Sequence, residues 1–356
     1  MGPVHPATHG VLKIVLDVEG DTIKKARTEI GFLHRGKEKI AELRQSASYY
    51  PIVDKLDYLS GLQMEILFAS TLEKAANIEI PPRAVWIRTI MAEIQRMMSH
   101  LAFIGFFGID LGNITGFIWG LRERELLMDV VEKVSGGRLA PMYLRTGGVF
   151  YDLPEGFAEA LNPALDKIEN KLDRDYRALF TENELFFKRT KGIAVMDKKM
   201  VVKYGVTGPN ARASGMKNDL RKDEPYLAYD KVDFNVVVED AGDSYARFML
   251  RVNEIKESIK IIRQCLKMLP QGPVAAKVPW LVKLPPAYTF VRQECSRGQT
   301  AMYMVTDGSI KPYRLKIRSP SFFSVRAMEE LLEGVRVADS VAVIAGMDPV
   351  MGEVDR

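Results

Sequence analysis

The chain has 356 residues, 47% of them hydrophobic, which is enough apolar material for a sizeable buried core. Fifty basic and 46 acidic residues give a net charge of +4 at pH 7, and neither sign runs in long blocks, so the sequence excludes a nucleic-acid-binding tract and a polybasic membrane-binding tract. The longest apolar stretch, residues 101–109, is far below the roughly 20 residues that a membrane-spanning helix needs. No signal-peptide pattern opens the sequence, so we expect a cytoplasmic chain whose contact with any membrane is peripheral.

The predicted elements begin with a β-hairpin. Residues 11–17 are rich in β-branched side chains, and Gly20-Asp21 gives a turn signal before Thr22 and Ile23. We therefore predict a β-rich N-terminal segment over residues 1–50.

Beyond residue 50 the apolar residues recur at intervals of three and four, the period of a helix that buries one face. The clearest case covers residues 248–269 behind a predicted cap at Asp243, and another covers residues 81–101 after a pair of prolines. Similar patterns cover residues 53–77, 112–135 and 157–176. Together they predict a helical core over residues 51–270.

The remaining segment, residues 271–356, has a mixed pattern. Residues 302–305 and 313–317 flank Asp307-Gly308 like the strands of a second hairpin. Together, the predicted elements indicate an α+β, mainly helical fold: a helical bundle with small sheets near both chain ends. We expect the three segments to form one structural unit, in which the C-terminal segment closes a cavity.

Several cofactors cannot be held by this chain alone. Its two cysteines, Cys265 in a helical pattern and Cys295 in a predicted loop, are too few for an iron-sulfur cluster with four thiolate ligands. We expect both to be buried thiols. The glycine pairs in residues 136–138 and 145–148 lack the spacing of a nucleotide-binding loop, so direct nucleotide binding is not expected.

Two of the four histidines lie four positions apart, His5 and His9, in an ordered turn that Pro6 and Gly10 indicate. A zinc site would need three or four ligands, and no companion pair stands nearby. Proton donation is the better functional interpretation. From the residues alone, however, two rings hydrogen-bonded to the loop backbone rank first.

Other polar residues are ordinary when each is taken alone. Asp57 and Tyr58 would be a helix carboxylate and an interfacial tyrosine, and Asp110 a helix-end residue. Residues 34–36 are typical of a solvated turn. The remaining candidates are Glu93, Arg96 and His100, a polar stripe at helical spacing, and Arg212, Lys217, Arg221 and Lys222, a subunit-facing surface or a solvated loop.

An ordered set of segments gives these residues a context. They are residues 2–10 (GPVHPATHG), 31–39 (GFLHRGKEK), 56–58 (LDY), 81–84 (PPRA), 110–112 (DLG), 143–149 (YLRTGGV), 212–215 (RASG), 307–309 (DGS) and 352–356 (GEVDR). From the first residues to the last, the chain resembles the 49 kDa, or D, subunit of NADH-quinone oxidoreductase (respiratory complex I). That family resembles the large subunit of nickel-iron hydrogenases in fold.

The hydrogenase relationship implies a test for metal binding. Those enzymes hold nickel with two Cys-x-x-Cys pairs, and the matching positions here carry Asp57 and Ser60 in one place and Val350 and Glu353 in the other. No soft thiolate ligand remains, so we expect no metal in this chain.

The resemblance implies that the vacated metal site is the inner end of a quinone chamber. His9 and Tyr58 match the residues at the quinone headgroup, Val350 matches a quinone-binding position, and Asp110 matches an aspartate that pairs with the histidine. Arg35 and Lys55 match positions on the side of an iron-sulfur cluster in an adjacent subunit. The catalytic set is thus His9, Tyr58 and Asp110.

The resemblance also implies an assembly and an activity. The expected partners are a cluster-bearing B-type subunit, a C-type subunit and a membrane H-type subunit, at the cytoplasmic face of the cell membrane. Electrons would pass from the neighbouring cluster to quinone, coupled to proton translocation. Two alternatives stay open: a related membrane-bound complex with another acceptor, such as a phenazine, and a structural scaffold. The sequence does not name the electron donor, which could be NADH, a reduced deazaflavin coenzyme or ferredoxin.

Three departures from the family pattern stand out. Lys55 replaces a more usual arginine, which exchanges a planar fork of donors for a point charge. Ala140 stands where a histidine is common, and we expect a weaker pH dependence of the cluster potential. The segment between Gly272 and Ala287 is shorter than usual.

Overall fold

The computed structural model describes residues 1–4 and 10–356. His5 and His9 lie outside the described residues, so the roles predicted for them stay predictions. The strands are β1 (Lys13–Glu19), β2 (Thr22–Glu29), β3 (Leu144–Arg145), β4 (Gly148–Val149), β5 (Ala287–Cys295), β6 (Gly298–Thr306) and β7 (Arg314–Arg318). The helices are α1 (Lys37–Leu43), α2 (Tyr50–Val53), α3 (Gly61–Ala76), α4 (Pro82–Asp110), α5 (Ile114–Ser135), α6 (Phe157–Lys171), α7 (Glu184–Thr190), α8 (Lys198–Tyr204), α9 (Pro209–Arg212), α10 (Leu220–Asp223), α11 (Ser244–Met268), α12 (Pro320–Leu332), α13 (Ser340–Met347) and α14 (Met351–Asp355).

Helix α4 is the centre of the molecule. It packs against α5 and α11 along its length, and α3 and α13 also contact it. Its residues are buried on every face, as expected for a helix that is surrounded by others. The sequence predicted only one wide apolar face and an end near Leu101, but the helix continues to Asp110 because the apolar run 101–109 lies within it.

The long helices begin and pack for local reasons. Asp243 caps α11, as predicted, by accepting a hydrogen bond from the amide of Ala246 at 2.7 Å. In α5, a Cβ on Gly120 would lie 2.8 Å from the carbonyl oxygen of Leu101. Glycine at this position therefore allows α4 and α5 to cross closely.

Two antiparallel sheets lie near the chain ends. The β1–β2 hairpin is present as predicted and packs on α12, while β5, β6 and β7 form a three-stranded sheet that packs on α3. The predicted second hairpin corresponds to β6 and β7. Strand β5 was missed, and the prediction of a loop around Cys295 was wrong because that residue ends β5 with its side chain fully buried. The predicted α+β, mainly helical fold is confirmed.

Two predicted helices differ from the observed ones. The pattern over residues 53–77 includes a non-helical turn, residues 54–60, before α3 begins. The pattern over residues 157–176 is α6 followed by a π-helix, Leu172–Thr181. The first difference matters for function because the turn carries Asp57 and Tyr58.

Candidate functional site

A cavity of about 270 Å³ lies where the C-terminal end of α4 meets two turns. This volume is close to the lower end of the roughly 300–1,000 Å³ typical of small-molecule sites. The cavity is lined by Gly10, Tyr58, Leu59, Phe106, Asp110, Asp348, Pro349 and Val350. The structure therefore brings together Tyr58, Asp110 and Val350, three of the residues that the sequence singled out, although they lie far apart along the chain. His9 lies outside the described residues, and its neighbour Gly10 is part of the lining.

The turn 54–60 presents Tyr58 to this cavity. One carboxylate oxygen of Asp57 accepts a hydrogen bond from the amide of Leu59 at 3.1 Å, and the amide of Ser60 donates to the carbonyl of Asp57 at 2.9 Å. These bonds fold the chain into an aspartate-stabilised turn. The side chain of Asp57 points inward while that of Tyr58 is 43% exposed.

The partial burial of Tyr58 raises the pKa of its phenol, and the charge of Asp57 acts in the same direction, while Arg297 acts against it. The phenol therefore keeps its proton at neutral pH. Tyr58 can donate a hydrogen bond into the cavity.

A buried arginine, Arg297, joins the two turns of the cavity. It donates to a carboxylate oxygen of Asp57 at 2.8 Å and lies 3.3 Å from a carboxylate oxygen of Asp348. It also donates to the hydroxyl of Ser99 at 3.0 Å. The nearby carboxylates of Asp348 and Asp57 raise the pKa of this guanidinium against the effect of burial, so it stays charged. Sequence reasoning missed Arg297, because an isolated arginine between two strands gives no signal of its partners.

The second turn follows α13. Asp348 adopts the left-handed conformation, with φ of 51°, and its carbonyl accepts a bond from Arg297 at 3.2 Å. The amide of Val350 donates to the hydroxyl of Ser321 at 3.2 Å. Val350 is 2% exposed and lines the cavity with an apolar side chain.

Asp110 is the last residue of α4 and is half-buried at the cavity wall. A carboxylate at a helix C-terminus is unfavourable, because that end of the helix dipole is negative. Its position is therefore not explained by the stability of the helix. The predicted pairing with His9 stays a prediction.

Arg35 and Lys55 lie apart from the cavity lining. Arg35 is exposed in the loop before α1, and the carboxylate of Asp355 accepts hydrogen bonds from two backbone amides of this loop, Gly31 at 2.8 Å and Leu33 at 2.7 Å. The Lys55 ammonium is largely exposed and donates to the carbonyl of Pro51 at 2.8 Å. Neither of the two predicted cluster-side residues is among the residues that line the cavity.

Two of the four positions that the resemblance matches to hydrogenase cysteines carry acidic side chains, Asp57 and Glu353, which make other contacts here. Asp57 is paired with Arg297, and Glu353 is buried and accepts a hydrogen bond from the amide of Ser321 at 2.9 Å. Burial and the nearby charge of Asp57 raise the pKa of Glu353 to about 8, so this side chain is a neutral acid at pH 7. Within the described residues, no group of three or more His, Cys, Asp or Glu side chains could hold a metal ion.

A second ionic network fills the core beside the cavity, and here two sequence interpretations were wrong. The stripe of Glu93, Arg96 and His100 is buried, because α4 is surrounded on all sides. Arg212 and Arg221 are also buried rather than surface residues, while Lys217 and Lys222 are exposed. The contacts include His100 to Glu254 at 2.8 Å, Arg212 to Glu254 and to Glu294 at 2.7 Å each, and Arg221 to Glu93 at 3.2 Å.

Comparisons with known proteins agree with one another. The family model described as "Respiratory-chain NADH dehydrogenase, 49 Kd subunit" matches residues 110–283 and 276–356. A protein of Clostridium beijerinckii, named as the D subunit of NADH-quinone oxidoreductase, is 44% identical over the whole chain and 96% of its own length. Proteins named in the same way from Desulforamulus reducens and Rhizobium etli are 41% and 40% identical, again over the whole chain and over 97% and 94% of their lengths. Across the part of the chain that the structure describes, no helix is long and apolar enough to cross a membrane.

Proposed function

This chain belongs to the family of the 49 kDa subunit of respiratory-chain NADH dehydrogenase and is a subunit of a complex I type oxidoreductase, and we propose that it forms the quinone site of that enzyme. The observation that carries the proposal is the cavity between α4 and the two turns, which joins a phenol, a carboxylate and apolar walls. The name of the relatives, NADH-quinone oxidoreductase, supports quinone as the substrate.

The chemistry of the cavity suits a quinone headgroup. Reduction of a quinone to a quinol takes two electrons and two protons, and negative charge develops on the carbonyl oxygens. Tyr58 keeps its proton and can donate a hydrogen bond to one of these oxygens, which stabilises that charge. Leu59, Phe106 and Val350 supply apolar surface for the ring.

We assign the second hydrogen-bond donor to His9 and its orienting carboxylate to Asp110. Gly10 and Asp110 both line the cavity, which supports this assignment for the residue next to Gly10. A carboxylate beside an imidazole favours the protonated ring and fixes its orientation. His9 and Tyr58 would then deliver the two protons.

The electrons come from an iron-sulfur cluster in a neighbouring B-type subunit, on the side of Arg35 and Lys55. We propose a C-type subunit and a membrane H-type subunit as further partners, with the complex at the cytoplasmic face of the cell membrane and quinone reduction coupled to proton translocation.

The test is quinone reduction by the assembled complex that carries Tyr58→Phe, His9→Ala or Asp110→Asn. Loss of a hydrogen-bond donor at the developing charge is expected to lower the rate by roughly 10²-fold for the first two variants. Tyr288→Phe is the matched control, because Tyr288 is 79% exposed and is not among the lining residues. Electron transfer from the donor to an artificial one-electron acceptor should be unchanged in all of them. Unchanged quinone reduction in assembled Tyr58→Phe and His9→Ala complexes would instead indicate a scaffold subunit.

A further inference from the structure

One buried ammonium group connects the two backbone segments that carry cavity residues. The Lys37 Nζ donates to the carbonyl of Lys55 at 2.8 Å and to the carbonyl of Gly352 at 2.9 Å. Lys55 stands three residues before Tyr58, and Gly352 stands two residues after Val350. We call these two contacts the Lys37 bridge.

The bridge is built into the fold rather than lying on its surface. Lys37 is the first residue of α1 and is only 7% exposed, and its carbonyl accepts a hydrogen bond from the hydroxyl of Tyr49 at 3.1 Å. A long, flexible lysine is ordinarily exposed, and its burial costs side-chain entropy and desolvation. The hydrogen bonds of the ammonium group to the two carbonyls must offset these costs.

The charges around the ammonium are mostly of opposite sign. The carboxylate of Asp355 faces it from α14 and that of Asp54 from the turn before α3, while Arg35 is the nearby cation from its own segment. Glu353 also faces it from α14 but is a neutral acid at pH 7. Burial lowers the pKa of Lys37 to about 8, against these carboxylates, so the group is mostly protonated at pH 7. Hydrogen bonds from a charged donor are about twice as strong as neutral ones.

The two bridged segments are in direct contact at the cavity. A Cβ on Gly352 would lie 2.7 Å from the carbonyl oxygen of Leu56 and 3.4 Å from the ring of Tyr58. The segment of Gly352 therefore packs directly beside the tyrosine ring. Arg297 also joins the two turns, through Asp57 and Asp348.

We propose that Lys37 is a positioning residue of the cavity, which holds the turn of Tyr58 against the segment of Val350 without touching the substrate. This inference rests on the proposed quinone site, because only a ligand in that cavity would sense the spacing. A misplacement of about 1 Å in a site can reduce catalysis by on the order of 10²-fold, so a small loss of spacing should be measurable.

The experiment compares Lys37→Met and Lys37→Arg in the assembled complex. Methionine fills similar space but donates no hydrogen bond, whereas arginine keeps a charged donor. Lys39→Met is the matched control, because Lys39 lies on the same helix, is largely exposed and pairs with Glu42. We expect Lys37→Met to raise the KM for a water-soluble short-chain quinone roughly tenfold with a smaller change in kcat, and Lys37→Arg to restore part of it.

A second measurement does not depend on quinone. Hydrogen-deuterium exchange of the backbone amides should become faster in residues 54–60 and 351–355 of Lys37→Met, and stay unchanged in Lys39→Met. If exchange and KM both match the unaltered complex while Tyr58→Phe still impairs quinone reduction, the inference is wrong and the quinone site stands. Faster exchange with an unchanged KM would also overturn the positioning role, since the bridge would then be structural only.

Discussion

Arg297 is the residue on which both turns of the cavity depend. Its side chain is 2% exposed and shared between two buried carboxylates, Asp57 and Asp348. A buried ion pair gives little net stability compared with apolar packing, but removal of one partner leaves the other charge unpaired in a poor solvent. Arg297 therefore adds little net stability of its own, but its positive charge is needed to compensate the two buried carboxylates.

Replacement of Arg297 by Met is expected to lower the free energy of unfolding by about 3–5 kcal/mol. Urea denaturation of the purified subunit at pH 7 measures this change. Arg292→Met is the control on the preceding strand, β5, because Arg292 pairs with Glu224 at the surface and such pairs contribute at most about 1 kcal/mol. Similar losses in the two variants would contradict the account given for Arg297.

Only some of the residues that meet at the cavity could be predicted from the sequence. The resemblance placed Tyr58, Asp110 and Val350 in one site, and the structure brings them around one cavity. Arg297 and Lys37 were not predicted, because their partners Asp57 and Gly352 lie 240 and 315 positions away. No local pattern in a sequence records contacts at such separations.

At the scale of elements, helices were predicted best and turns worst. Apolar periodicity identified the helices of the core because each buries a continuous face. It failed at residues 54–60, where apolar residues continue the helical spacing but Asp57 closes a turn with its own side chain. It also failed for β5, whose half-buried alternation is interrupted by Arg292 and Gln293. In both cases, side-chain hydrogen bonding and tertiary packing outweighed the pattern.

The start of α14 gives the element-scale prediction. Gly352 is in the first turn of this helix, where alanine would ordinarily be favoured by about 1 kcal/mol. A methyl group here would meet the carbonyl of Leu56 at 2.7 Å, so we expect Gly352→Ala to destabilise the protein by about 1–3 kcal/mol and to raise the KM for quinone.

Thermal unfolding together with quinone kinetics measures both effects. Gly346→Ala is the comparison, because its new methyl would meet first the hydroxyl of Ser244, which can rotate, rather than a backbone carbonyl, and Gly346 is not among the lining residues. A gain of stability in Gly352→Ala would show that the two segments are not in close contact.

At the scale of the whole molecule, the core contains many ionisable groups in opposite states. Glu254 and Glu93 are charged, since neighbouring cations lower the pKa of each carboxyl despite burial. At Glu65 and Glu353, burial outweighs the contacts that favour the charged form, and it raises the pKa of each to about 8. The nearly balanced composition of the chain gave no indication of this arrangement, because a net charge does not report where charges are buried.

The neutral acids predict a particular dependence of stability on pH. An unfolded glutamate ionises near pH 4.5, whereas folded Glu65 keeps its proton up to about pH 8, so protons stabilise the folded state and stability falls as the pH rises between these values. His100, whose pKa burial lowers to about 4, acts in the opposite direction below pH 6.5. The decline should therefore be visible between pH 6.5 and pH 8, at about 1.4 kcal/mol per pH unit for each acid.

Glu65→Gln removes one of the two acids, and its free energy of unfolding should fall less steeply between pH 6.5 and pH 8. Urea denaturation of the purified subunit at both pH values tests this expectation. Glu79→Gln, an exposed residue just after α3, should retain the slope of the unaltered chain. Equal slopes in all three proteins would mean that Glu65 is ionised in the folded state.

The distance along the chain between the cavity walls also has a consequence during synthesis on the ribosome. Asp57 is translated 240 residues before Arg297, which at 5–20 residues per second leaves roughly 10–50 s in which this carboxylate lacks its charged partner. It must stay in water for that time, so the turn of Tyr58 cannot close over an interior before the late strands arrive. A nascent chain that has not reached Arg297 thus has no complete cavity. A ligand can bind there only after the turn of Asp348 and Val350 has been synthesised.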